Sequence, residues 1–457
     1  MRNKKIVAAL LLLGGCAQIT EQSGFDAVQA LSRPTLGQAP TWVKSETDEA
    51  KAREEIAALL TKPLDADAAV RIALLANRGL RAAYAELGIA EADLVQANRI
   101  SNPTFSFKRL SREADLDIER SIAIKPLELL LLPFATGIEE RRFERAKMRA
   151  AETVLKTAAE VRRAWVAAVS AAEIAAYAES FGETAKARVE LARRMTEVGN
   201  WSVLDYAREQ VFYAETAMKR ARVRHKATAA RERLARLMGL WGRDAGFKLP
   251  DRVPPLPKEP KDVGDIEKKA VAERLDIRIA KAETEATAKS LGLTRATRFV
   301  NAVEIAGFRN NATGQRTQTG YEVSVEVPIF DWGSAKSAKA ENIYMQSVDR
   351  LAATAVNARS EVRETYSAYR TAFDLARHYT DEVLPLRRKI GEEMVLRYNG
   401  MLIGVFELLA DLREQGETVA AAVEARRDFW LAATDLDFVT VADTGGASAR
   451  LAGMGGE

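Results

Sequence analysis

Apolar positions recur along this chain at two periods. Val154, Ala158, Val161, Trp165, Ala168 and Ala172 follow a 4-3-4-3-4 spacing, and Leu351, Ala355, Ala358, Val362, Thr365 and Tyr369 repeat it. A mean of 3.5 residues is the period at which helices wrap on one another. No proline interrupts 137–198, and roughly 62 helical residues extend about 93 Å at 1.5 Å per residue. The corresponding stretch from Ser334 to Asn399 contains Pro385, where a kink is expected. Shorter helices are predicted over Asp65 to Ile100, Val203 to Leu240, Asp265 to Arg298 and Glu407 to Val441. Alanine at so many seam positions lets helix axes approach closely but leaves little apolar area per helix, so these helices need partners along their length.

The second period is two. Tyr321, Val323, Val325 and Val327 alternate with Glu322, Ser324 and Glu326, which is the pattern of a strand with one apolar and one polar face. Strands are predicted over Thr104 to Leu110, Asp117 to Lys125, Phe299 to Asn310 and Gly320 to Ile329. The last two have the length of tilted strands that cross a bilayer, about 9–11 residues. A soluble amphipathic hairpin has the same pattern. Four strands cannot close a membrane barrel, but an oligomer of such chains can, and lipid forbids open edges.

The elements occur twice. A strand-like run ends at Pro126, and the same junction recurs at Pro328, an offset of 202. Val203-Leu204-Asp205 matches Val405-Phe406-Glu407 at that offset, each after a Gly-containing break, Val198-Gly199-Asn200 and Asn399-Gly400-Met401. Ala73 to Arg81 pairs with Ala270 to Arg278 at an offset of 197. The chain therefore divides into an N-terminal segment 1–15, an extension 16–64, a first repeat 65–248, a Pro-rich linker 249–264, a second repeat 265–441 and a Gly/Ala/Ser-rich tail 442–457.

Composition changes this picture mainly by exclusion. With two His (His225, His378) and one Cys (Cys16), no His/Cys metal cluster or Cys/His catalytic pair can form within one chain. Carboxylates scattered on solvated helix faces define no catalytic site, so the chain reads as a non-enzyme without a cofactor. Its 68 Lys and Arg against 64 Asp and Glu are mixed along the helices, which argues against a nucleic-acid partner.

The N-terminus has a basic start, an apolar run from Ile6 to Leu13, then Gly14-Gly15-Cys16. That run is too short to span a bilayer and reads as a targeting segment. LLLGGC resembles a bacterial lipobox, with Gly14 where Ala, Ser or Thr is more usual; the resemblance implies cleavage before Cys16 and its acylation. Ala17 resembles the residue that follows the cysteine in lipoproteins sorted to the outer membrane. Removing Arg2, Lys4 and Lys5 lowers the formal charge from +4 to +1.

The duplicated pattern, the junctions IKPLELLLLPFATGIEERR and VEVPIFDWGSAKSAKAE, the two helix breaks and the lipobox together resemble the TolC-type outer-membrane factor family, over roughly residues 60 to 441. The resemblance implies a mostly α fold with a small β part. Two-repeat helical hairpins would form a trimeric α-barrel, and four strands per chain would enter a shared twelve-stranded transmembrane β-barrel. It further implies an outer-membrane export duct, lipid-anchored with a long periplasmic extension. As partners it implies a homotrimer, a periplasmic adaptor, an inner-membrane transporter of the RND type and outer-membrane lipid. Val198 to Tyr206 and Asn399 to Asp411 would then be the hairpin tips that close the tunnel, with Gly199, Asp205, Gly400, Glu407 and Asp411 at the gate. The family's further carboxylate falls here on Ala410, with Asp411 beside it.

Other readings stand beside these. Asp205 and Glu407 also suit the first turns of helices, where acids complement the dipole. Trp332 suits a headgroup-level anchor or a packed turn, and Leu127 to Phe134 a lipid- or subunit-facing crossover or a core turn. His225 and His378 read as solvated helix positions. A periplasmic coiled-coil adaptor, or a structural surface lipoprotein without a pore, is the alternative function. If the lipobox is used, Cys16→Ala abolishes acylation, and mass spectrometry of the mature N-terminal peptide will show no lipid-sized increment.

Overall fold

A computed structural model describes residues 19–113, 115–297, 303–326 and 329–443. Cys16, the 1–15 segment, the Val327-Pro328 junction, the first predicted residues of the third strand from Phe299 and nearly all of the tail lie outside the described residues. The element order is α1 (Phe25–Leu36), α2 (Glu46–Leu59), α3 (Ala66–Ala76), α4 (Arg78–Ala97), β1 (Thr104–Arg112), β2 (Asp115–Ile124), α5 (Pro126–Glu197) and α6 (Val203–Met238). The second half repeats it with α7 (Ile266–Glu273), α8 (Leu275–Thr297), β3 (Val303–Ala312), β4 (Gln318–Val325), α9 (Ser334–His378), α10 (Leu384–Asn399) and α11 (Val405–Val439).

Two predicted helices are each split. Asp65 to Ile100 breaks at Asn77, and Asp265 to Arg298 at Arg274, equivalent positions at the 197-residue offset. Asn77 takes an extended backbone and donates Nδ2–H to the Leu237 carbonyl at 2.7 Å. Gly239, which ends α6, crosses here with φ +75°, and a Cβ on it would lie 2.7 Å from the Ala76 carbonyl oxygen. Only glycine fits.

Long helices begin where strands end. α5 starts at Pro126, one residue after the Lys125 that follows β2, and not after Gly137 as expected. Proline at the first helical position loses no hydrogen bond that the helix would make, and the apolar run Leu127 to Phe134 forms its first turns with Leu129, Leu130 and Phe134 exposed. In the second repeat the proline signal is realised as a π-helical turn, Tyr379–Val383, after which α10 begins with Pro385 in its first turn. The wider turn accommodates the ring and the missing N–H without ending the helix.

The chain forms two compact units that do not follow the repeats. One comprises 19–28, 83–150 and 276–355 and holds the sheet. All four strands pair antiparallel in the order β1-β2-β3-β4, so the two hairpins join through β2 and β3, with Ile122 opposite Gly307 and Arg120 opposite Arg309. Its helical part is held by Phe25 edge-on to Tyr84 at 4.8 Å and by the Arg145–Glu283 ion pair at 2.9 Å.

The other unit comprises 29–82, 151–275 and 356–443. The α5 seam is buried here: Val154, Ala158, Val161, Trp165 and Ala168 are all inaccessible, as are Ala358, Val362, Thr365 and Tyr369 of α9. Trp165 donates Nε1–H to the Leu64 carbonyl at 2.7 Å. Phe429 packs against Tyr369, tilted, and against Phe373, edge-on, at centroid distances of 5.5 and 5.7 Å in a core closed by Leu436 and Val439. The Pro-rich segment lies against this unit, with Trp430 Nε1–H on the Pro254 carbonyl and the Lys261 amide on Tyr369 Oη.

Arg274, at the break between α7 and α8, is 1% exposed, pairs with Glu361 at 2.8 Å and donates to the Val439 carbonyl at 3.3 Å. Removing it takes away the guanidinium that pairs with the partly buried Glu361 carboxylate. Arg274→Ala is expected to cost about 3 kcal/mol, seen as a lower denaturation midpoint of the detergent-purified protein; an unchanged midpoint rejects this role.

Candidate gate at the helical hairpin tips

Two turns join the long helices to their returning partners, both within the second unit. At the first, α5 ends with the Asn200 amide bonded to the Met195 carbonyl at 2.9 Å while Gly199 takes φ +78°. At the second, the Leu402 amide reaches the Arg397 carbonyl at 2.9 Å and Met401 takes φ +57°. Both are the same 6→1 helix-ending motif, related by the 202-residue offset. The second break, expected over Asn399-Gly400-Met401, is centred on Met401. Gly400 caps α10 with φ −79°, and the left-handed position belongs to Met401, whose side chain is 94% exposed.

Entry into the returning helices differs between tips. Ser202 caps α6, its Oγ accepting from the Asp205 amide at 3.1 Å and donating to Asp205 Oδ2 at 2.7 Å. Asp205 also pairs with Arg208 at 3.3 Å. The equivalent of Ser202 is Gly404, which supplies no side-chain cap. Glu407 is exposed in the first turn of α11 and makes no ion pair among the described residues. Val198, Val203 and Leu204 at one tip and Met401 and Leu402 at the other are exposed.

One turn deeper the acids are buried. Asp411 is 8% exposed, with Oδ1 3.6 Å from Arg387 Nη1; Arg387 also pairs with Glu414. The offset carries Asp411 onto Glu209, equally buried and paired with Arg188 at 3.0 Å. Arg188 in α5 also donates to the Leu409 carbonyl at 2.9 Å and lies over the Phe212 ring at 4.6 Å. It thus ties α5 to both α6 and α11. Neither Glu209 nor Arg188 stood out in the sequence, although applying the repeat offset to Asp411 finds Glu209. Near the end of α5, hydrogen bonds from Arg193 and Arg194 pull the Glu190 carboxyl down to about 2.

The structure brings Gly199 and Asp205 together at one tip and Gly400, Glu407 and Asp411 at the other, whereas Cys16 lies outside the described residues. His225 is exposed, and exposed His378 lies 3.2 Å from Glu382. No group of three or more His, Cys, Asp or Glu able to hold a metal occurs among the described residues. The left-handed residues give a direct test. Met401→Gly should stabilise the second tip and Gly199→Ala destabilise the first, each by about 1 kcal/mol. Hydrogen exchange of the amides at 199–202 and 401–404 will report both.

Family models and curated proteins yield no match to the sequence. Solved structures do. The OprN outer-membrane channel superposes with a TM-score of 0.67 at 20% identity, over 91% of this chain and 96% of that one. A membrane protein from Pseudomonas aeruginosa gives 0.70 at 18%, over 88% and 97%. The CmeC outer-membrane channel of Campylobacter jejuni gives 0.66 at 14%, over 96% and 92%. The chain thus shares the fold of these membrane proteins, long helices with a small four-stranded sheet, which is the mostly α fold with a small β part that the resemblance to TolC-type outer-membrane factors implied.

Proposed function

We propose that this chain is a subunit of an outer-membrane channel, a passive export duct, in which three copies join their sheets edge to edge into a twelve-stranded barrel. One observation carries the reading: the four-stranded sheet has an exposed apolar face and two outer edges. Phe105, Phe107, Ile122, Ile124, Ile305, Tyr321, Val323 and Val325 share one face by register and are all exposed. The outer edges of β1 and β4 have no strand beside them among the described residues. In water this is an aggregation hazard. In lipid it works once the edges meet in a closed ring. No described helix is long and apolar enough to cross a membrane.

The opposite face carries Ser106, Lys108, Glu119, Ser121, Asn310, Gln318 and Glu322 and suits a watery lumen. Trp332, exposed after β4, suits the headgroup level, where the apolar first turns of α5 also fit. The helical hairpins are assigned to the periplasm, and acylated Cys16 to the membrane as an anchor. The exposed apolar residues at the tips are the surface for a periplasmic adaptor, which links the duct to an inner-membrane transporter of the RND type. Asp205 and Glu407, repeated by symmetry in a trimer, would repel one another and favour cations, and so tune the selectivity or opening of the mouth. Asp411 and Glu209 act differently, as buried partners that hold the tips through Arg387 and Arg188.

The detergent-purified protein is expected to be trimeric and to give single-channel conductance in planar bilayers; a water-soluble monomer without conductance rejects the reading. Asp205→Ala with Glu407→Ala should raise conductance, and an unchanged value rejects the gate assignment while leaving the duct intact.

A further inference from the structure

The apolar face of the sheet is not apolar throughout. Toward the end that carries the two hairpin turns, it holds Arg109 on β1, Arg120 on β2 and Arg309 on β3, all exposed. Arg120 and Arg309 are directly opposite across the β2–β3 pair. Arg109, opposite Ile118, is the diagonal neighbour of Arg120, a separation of about 7–8 Å. Like charges directly opposite on a sheet repel, and no carboxylate among the described residues pairs with them. None of the three forms an ion pair among the described residues; Arg120 donates only to Asn311 Oδ1 at 3.3 Å and lies 5.9 Å from the Phe107 ring. The carboxylates of the sheet, Asp115, Asp117, Glu119, Glu304 and Glu322, all fall by register on the other face, where Glu119 pairs with Lys108 at 3.7 Å.

We propose that Arg109, Arg120 and Arg309 form a binding site for the phosphate groups of an anionic membrane lipid. The occupant follows from two adjoining features. Three guanidiniums without a counter-charge call for an anion with several acceptor oxygens, which arginine forks match in phosphate. The apolar rows directly below them, Ile122 with Tyr321 and Ile124 with Ile305 and Val323, call for acyl chain. From Val303 to Arg309 is about 20 Å along the strand at 3.4 Å per residue, so one lipid can lay its chains on the apolar rows while its phosphate meets the arginines. A bound phosphate turns the repulsion across β2 and β3 into a bridge between the two hairpins, the seam between the repeats.

The proposal rests on the sheet facing lipid, and its test separates the two. The full chain is purified in detergent and doped with phosphatidic acid or with phosphatidylcholine of the same acyl chains; retained lipid is read by native mass spectrometry and stability by thermal midpoint. Phosphatidic acid should be retained and raise the midpoint, and phosphatidylcholine should do neither. Replacing Arg109, Arg120 and Arg309 together by Gln should lower retained phosphatidic acid by at least about tenfold, whereas Lys108→Gln should leave it unchanged. In phosphatidylcholine, Arg309→Gln should be no less stable than the parent, because it removes a like-charge pair, which a merely structural arginine would not show. Equal retention of both lipids, or full retention by the triple variant, overturns the proposal. Displacement by inorganic phosphate at matched concentration overturns the lipid assignment in favour of a free anion. Trimer and conductance are measured on the same samples: a conducting trimer without lipid discrimination overturns this inference alone, and a monomer without conductance overturns it together with the channel reading.

Discussion

Backbone amides and carbonyls at the edge of a sheet must find partners, and in a bilayer no water supplies them. The four-stranded sheet of this chain brings that constraint to the fore, because its register places the apolar side chains of both hairpins on one exposed face. Strand length, the polar opposite face and the merging of two hairpins through β2 and β3 all make sense if the unit is one segment of a larger closed ring. In both repeats the second strand of the hairpin is followed by a long helix, α5 after β2 and α9 after β4.

The long helices are held by a different economy. Seams of Ala and Val bury little area per residue, so the helical unit relies on a few aromatic residues and on arginines aimed at carbonyls and acids. Arg274 bonds Glu361 and the end of α11, Arg163 reaches Asp435 at 3.0 Å, and Arg188 bonds Glu209 and the Leu409 carbonyl. Such pairs add little net stability compared with apolar packing, but breaking one by removing a partner is costly. They suit positions where helices must meet in one register.

At the tips, repetition makes function and structure separable. The two turns share the same hydrogen bonds at equivalent positions, yet one has Gly199 and a Ser202 cap while the other has Met401 and Gly404. The second tip therefore stores backbone strain and lacks a cap, so it is the softer of the two by construction.

Sequence alone determined the elements with long periodicity or duplication: the heptad seams, the alternating strands, the paired helix breaks and the offset that relates them. These are legible because each residue's part repeats at a spacing set by helix or strand geometry. What the sequence left hidden depends on single contacts. Met401, not Gly400, occupies the left-handed position because the 6→1 hydrogen bond decides where the turn closes, and no residue preference announces a strained methionine. Arg188 looked like one charge among many until the fold set it beside Glu209, and the arginines of the sheet became a cluster only through the strand register. Only tertiary structure decided those, since it is pairing across the chain, not spacing along it, that brings a charge to or away from its partner.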